Sequence, residues 1–187
     1  MQVIRRLCGP TVALLLIALA GCSTSTTPAE RSDIDARAKV ALDNLYQHTP
    51  AARSLADKSA GVLVFPDVTQ AGLIVGGQYA TGVMFKNGVA VGHYNLTGGS
   101  LGLQVGAQKF SEAYFFTTPE ALSTFEKSKG FEVGAGLDVA VANVGTSGEI
   151  STSTLEKPLV VFVWGQEGLM AGVKVEGQKI TQLAAIK

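Results

Sequence analysis

The sequence predicts an α+β domain: a strongly curved, mostly antiparallel β-sheet, barrel- or sandwich-like, with N-terminal helices and one crossing helix near 118–129. Three observations carry this. Between Val68 and Gln108 a stretch of 41 residues holds a single charge, Lys86, and is interrupted by glycine every few positions. Glycine at that density costs a helix about 1 kcal/mol each, whereas in strands it marks bulges, bends and close backbone approach. Short apolar runs lie between the glycines, and Asn87-Gly88 between two of them supplies the positive φ of a tight hairpin. Lastly, Leu159 to Trp164 (LVVFVW) is apolar without alternation, as in a strand buried on both faces.

Taken in order, the chain opens on an address. Arg5 and Arg6 precede an apolar run, Val12 to Leu19, too short to span a bilayer as a helix, and small residues follow. Leu19-Ala20-Gly21-Cys22 closes that run and resembles the lipobox of bacterial lipoproteins. That resemblance implies cleavage before Cys22, acylation of its sulfur and new amino group, and, with Ser23 following, an outer-membrane location. Several acyl chains hold a protein stably where one does so only marginally. Removing residues 1–21 takes Arg5 and Arg6 from the 15 basic residues, leaving 13 against 15 acidic, a net charge near −2. Cys8 leaves with the signal and Cys22 becomes the anchor, so no disulfide is expected and stability must come from packing. The predicted organisation is a signal peptide (1–21), the lipidated cysteine with a flexible tether (22–32), and one domain (33–187).

Within the domain, Ser32 is the expected N-cap of a first helix whose stripe is Ile34, Ala38, Ala41, Leu42 and Leu45. Thr49-Pro50 ends it and opens a short second helix. Gly61 to Phe65 reads as a buried strand stopped by Pro66-Asp67. In FSEAYFFT (110–117), Phe110, Tyr114 and Phe116 share one parity. Thr118-Pro119-Glu120 opens the crossing helix with an N-cap, an N1 proline and an early acid, and Gly130 is its expected stop. A second β series occupies 131–145, 158–165 and 168–177, with a polar loop between the first two; Ile180, Leu183 and Ile186 cap the core.

Three stretches together resemble the SYLF domain family: Lys58 to Pro66 followed by Ala71 to Gly77, the glycine strand Ser100 to Gly106, and Gly168 to Gly177 with Lys179-Ile180. The likeness spans about residues 35–186. It implies non-catalytic binding of lipid, since eukaryotic members bind phosphoinositides and other acidic lipids and some bundle actin. His93-Tyr94-Asn95-Leu96 stands where many of those members carry Trp-x-x-Pro, and their basic amphipathic extension is replaced here by the lipid anchor. The ligand expected of this chain is therefore a glycerophospholipid or membrane surface. The rival reading is a structural or protein-interaction module that uses its anchor only for location.

The residues offer little for other chemistry. His48 and His93 are the only histidines, no metal-ligand spacing occurs, and neither glycine cluster (98–102, 134–136) carries a phosphate-loop lysine or a dinucleotide fingerprint. No enzyme activity, metal or cofactor is therefore expected, and the charge balance argues against nucleic acid. Beyond Cys22, the headgroup candidates are Lys86, Lys109, Lys127 and Lys129, either gathered on one rim or flanking an apolar cleft between helix and sheet.

Overall fold

The computed structural model describes residues 27–72, 75–101, 106–128, 130–135, 137–144, 152–168, 175 and 177–183. The stretch read as a signal peptide, Cys22, Lys129, Ile186, and most of the residues 100–106 and 168–177 read as strands lie outside them. Helix α1 (Pro28–His48) starts four residues before the expected cap. Thr27 is the actual N-cap: its hydroxyl accepts from the Glu30 N–H at 3.3 Å, and the Glu30 carboxylate accepts from the Thr27 N–H at 2.6 Å. This capping box, with Pro28 at N1, satisfies donors the helix end would leave bare. Ser32 lies inside the helix, and part of the stretch read as tether is helical. Helix α2 (Pro50–Ala56) follows after Thr49.

Eight strands then form one sheet: β1 (Gly61–Gly72), β2 (Val75–Lys86), β3 (Val89–Leu101), β4 (Gly106–Phe116), β5 (Phe131–Glu132), β6 (Val139–Asn143), β7 (Leu159–Gly168) and β8 (Lys179–Gln182). The order across it is β5-β8-β3-β2-β1-β4-β7-β6, a curled half-barrel, antiparallel except where β6 pairs parallel with β7. The β2–β3 hairpin turns on Asn87 (φ 49°) and Gly88 (φ 75°), the two left-handed positions of a type I′ turn. The crossing helix α3 (Pro119–Lys127) is capped by the Thr118 hydroxyl, which accepts from the Ala121 N–H at 3.1 Å. It ends on extended Ser128 rather than running to Gly130. In the polar segment before β7, Thr152–Leu155 form one helical turn, α4.

Both faces of the sheet are covered, which explains the unbroken apolar runs. Val62, Val64, Val83, Phe85, Ala113, Phe115, Val160 and Phe162 meet Ile34, Ala38, Leu42 and Leu45 of α1 with Ala52 and Leu55 of α2. The opposite parity, Leu63, Phe65, Met84, Tyr114, Phe116, Leu159, Val161 and Val163, lines the concave side around α3. There Phe125 of α3 touches the rings of Phe116, Tyr94 and Phe131 at centroid distances of 4.9, 5.2 and 5.3 Å. A bulge in β1 at Pro66-Asp67 shifts the parity, so that Val68 returns to the concave core.

Candidate functional site

Helix α1 lies along the sheet with its N-terminal half over the β1 bulge. Arg37 holds it there, ion-paired to Asp33 at 2.9 Å and to Asp67 at the bulge. His93 of β3 adds a second tie, its Nε2 2.9 Å from Asp35 Oδ1. It is therefore a rim histidine fixing helix to sheet, in keeping with its place in an apolar strand.

Two grooves flank the helix. The groove beside its C-terminal half, about 520 Å³, has polar walls: Lys39, Asp43, Tyr46, Arg53, Asp57 and Asn87. Arg53 stacks over Tyr46 at 5.2 Å, and burial pushes the Tyr46 hydroxyl up to about 12. The groove beside the middle of the helix, about 480 Å³, has apolar walls from Ala36, Val40 and Ala41 of α1, Pro66 of β1 and Trp164 of β7. Arg37, Asp67, Lys109 and Glu167 stand on its rim, two charges of each sign. Lys109 and Glu167 are cross-strand partners on β4 and β7. Val40 is 69% exposed, the most exposed large apolar side chain among the described residues.

Among the described lysines singled out in the sequence, Lys109 stands apart from Lys86 and Lys127. Lys86 ends β2 and pairs with Glu126 of α3 at 2.6 Å, with exposed Lys127 next in the chain. Lys109 lies opposite Thr69, eight residues along β1 from the level of Lys86, roughly 25 Å away at strand rise. The rim-of-lysines arrangement is therefore not the one formed by Lys86 and Lys109. Lys109 alone among the described candidates borders an apolar cleft between helix and sheet.

A polar cluster that sequence reading missed lies within the concave core. Glu112 is fully buried on β4, and Tyr114 Oη is 2.7 Å from its Oε2. Gln178, just ahead of β8, donates from Nε2 to Glu112 Oε1 and Oε2 at 3.0 and 3.2 Å, and its Oε1 meets Tyr114 Oη. Burial pushes the Glu112 carboxyl up to about 7, against the opposing pull of the bonds from Tyr114 and Gln178. Burial also raises Tyr114 well above the usual phenol range, and the Glu112 charge adds to the effect. A signal was present: Glu112 has the parity of Phe110, Tyr114 and Phe116, so it had to face the core.

Among the described residues no group of His, Cys, Asp or Glu could hold a metal ion, and no helix is long and apolar enough to cross a membrane. A comparison with curated proteins finds no match. Residues 97–185 match the family described as Ysc84, Las17-binding protein actin regulator. That segment runs from within β3 through β8 and so takes in Lys109 on the rim of the apolar groove as well as Glu112, Tyr114 and Gln178; over these residues the chain is similar to the SYLF family.

Proposed function

We propose that this protein is a non-catalytic phospholipid-binding lipoprotein of the bacterial cell envelope, anchored in the outer membrane by acylated Cys22. The similarity to the SYLF family supports the lipid reading, because the family implies a lipid- or actin-related binding domain. The lipobox Leu19-Ala20-Gly21-Cys22 supports the anchor and the location.

The observation that carries the proposal is the position of the apolar groove. Only five residues separate Cys22 from Pro28, a reach of about 20 Å when fully extended. The start of α1 is thus held near the membrane to which Cys22 is attached, and Val40 of the groove lies about 18 Å further along the helix. Apolar walls suit the glycerol and upper acyl region of a phospholipid. A rim with two charges of each sign suits a zwitterionic headgroup and makes no demand for an anionic one.

Trp164 is the only tryptophan and is 4% exposed in the groove wall, so its emission reports occupancy. Residues 23–187, without acyl chains, should change Trp164 emission on zwitterionic vesicles with modest salt dependence. Val40→Asp should weaken that binding about tenfold or more while leaving the unfolding midpoint nearly unchanged, since position 40 faces water. A response that needs anionic vesicles and collapses with salt would move the site to the lysines; no response from any vesicle would leave the interaction module. The anchor is checked separately on the full-length chain, which should take up labelled palmitate where Cys22→Ser does not. Normal processing and labelling of that variant would remove the anchor from the account.

A further inference from the structure

The cluster of Glu112, Tyr114 and Gln178 joins parts of the sheet that strand order keeps apart. Between β8 and β4 lie β3, β2 and β1, so four strand spacings separate them, about 19 Å in a flat sheet. Gln178 nevertheless reaches Glu112 at 3.0 Å, because the sheet curls and the bond runs as a chord across its hollow side. The same residue fastens β5: Val133 N–H donates to Gln178 O at 2.9 Å, and Gly177 N–H donates to Val133 O at 3.1 Å. Phe131 and Ile180, paired across β5 and β8, form part of the wall that this chord holds in place.

Counting protons shows which state the cluster is built for. Tyr114 has one hydroxyl proton but faces two acceptors, Glu112 Oε2 and Gln178 Oε1. With Glu112 ionised, that proton serves one oxygen and leaves the other against a bare lone pair. With Glu112 protonated, the ring closes: Glu112 Oε2–H donates to Tyr114 Oη, Tyr114 Oη–H donates to Gln178 Oε1, and Gln178 Nε2–H donates to Glu112 Oε1. No acceptor then lacks a donor. Among the described residues Tyr114 is the only titratable group acting on Glu112; its neighbours across the sheet, Phe65 of β1 and Val163 of β7, bring no charge.

We propose that Glu112, Tyr114 and Gln178 form a proton-dependent clasp, which closes the half-barrel while Glu112 is neutral and releases the β8–β5 edge when Glu112 ionises. The proton passes to solvent, and the carboxylate, buried without a cation, gains hydration only if the Gln178 segment moves off it. The release works near neutral pH because burial has brought the carboxyl up to about 7. This inference is independent of the lipid reading and stands if no lipid binds.

The test is hydrogen exchange of the full-length chain in detergent at pH 6 and pH 8, corrected for intrinsic rates. For a carboxyl near 7 when closed and near 4.5 when open, the opening constant of peptides over 177–183 should rise about tenfold between those pH values. Peptides of β1 should change much less. Glu112→Gln should abolish the rise, since an amide keeps the ring closed at either pH. An unchanged wild-type rate at 177–183, or an equal rise throughout the sheet, would overturn the clasp, as would a rise that persists in Glu112→Gln. Should that variant fail to fold, the carboxyl carbon resonance of Glu112 in the wild-type chain decides: an ionised signal at pH 6 ends the proposal.

Discussion

Between pH 4.5 and 7.5 the stability gap between wild type and Glu112→Gln should shift by about 3 kcal/mol in favour of the variant. A carboxyl whose pKa rises on folding binds more protons in the native than in the unfolded state, so stability falls as pH rises. The contribution of Glu112 is whole below 4.5, its ordinary value, and is lost as pH climbs through about 7. Other carboxylates titrate in the same range, but they are common to both proteins and cancel in the difference. The amide of the variant leaves one N–H without a partner, a cost of about 1–3 kcal/mol that does not vary with pH. Glu112→Gln should therefore be the weaker protein at pH 4.5 and gain steadily on wild type above it. Urea midpoints measured for both across the range check this. Parallel curves would mean that Glu112 is already ionised in the fold.

Gly82→Ala should be the most damaging methyl that can be added to the described sheet. A Cβ there would lie 2.4 Å from the Val64 carbonyl oxygen and 2.5 Å from Cδ1 of Phe65. The cause is the β1 bulge, which breaks the β1–β2 register between Val64 and Thr69 and brings Phe65 across position 82. Phe65 is held in turn by the ring of Tyr114 at 5.8 Å, so it has little room to yield. Neither a backbone carbonyl nor a packed ring moves cheaply, and the loss should reach about 3 kcal/mol, the upper end of overpacking effects. Gly99→Ala in β3 is the control, because nothing lies within 4 Å of its new methyl. Equal shifts in denaturation midpoint for the two variants would contradict this account of the bulge.

Where local chemistry decides structure, the sequence was legible. Asn87-Gly88 supplies both left-handed residues of its turn, and Thr118-Pro119-Glu120 opens α3 as its capping chemistry demands. The apolar run Leu159 to Trp164 is buried on alternating sides by two cores. Composition misled at Thr27: the polar segment around it resembles a linker, yet Thr27 and Glu30 three residues apart form the capping box that starts α1. The capping pair, read before the composition, would have placed the helix correctly.

Long-range placement was not legible. Lys86 and Lys109 looked equivalent in the sequence, both candidates for a headgroup. Only the register of β1 with β2 and β4 sets them at opposite ends, one paired to α3 and the other on the groove. Glu112 could be assigned to the core by parity, but its partner Gln178 lies 66 residues on. No local pattern announces a contact made by sheet curvature. The groove itself depends on where α1 crosses the sheet, which Arg37–Asp67 and His93–Asp35 fix through pairs far apart in the chain.

The central claim, a phospholipid site beside α1, is tested most directly by native mass spectrometry of residues 23–187 expressed without the signal and purified without detergent. The account predicts a fraction of the protein carrying one glycerophospholipid, which Val40→Asp loses. Protein that is bare in both forms, with Trp164 emission unmoved by any vesicle, would contradict it.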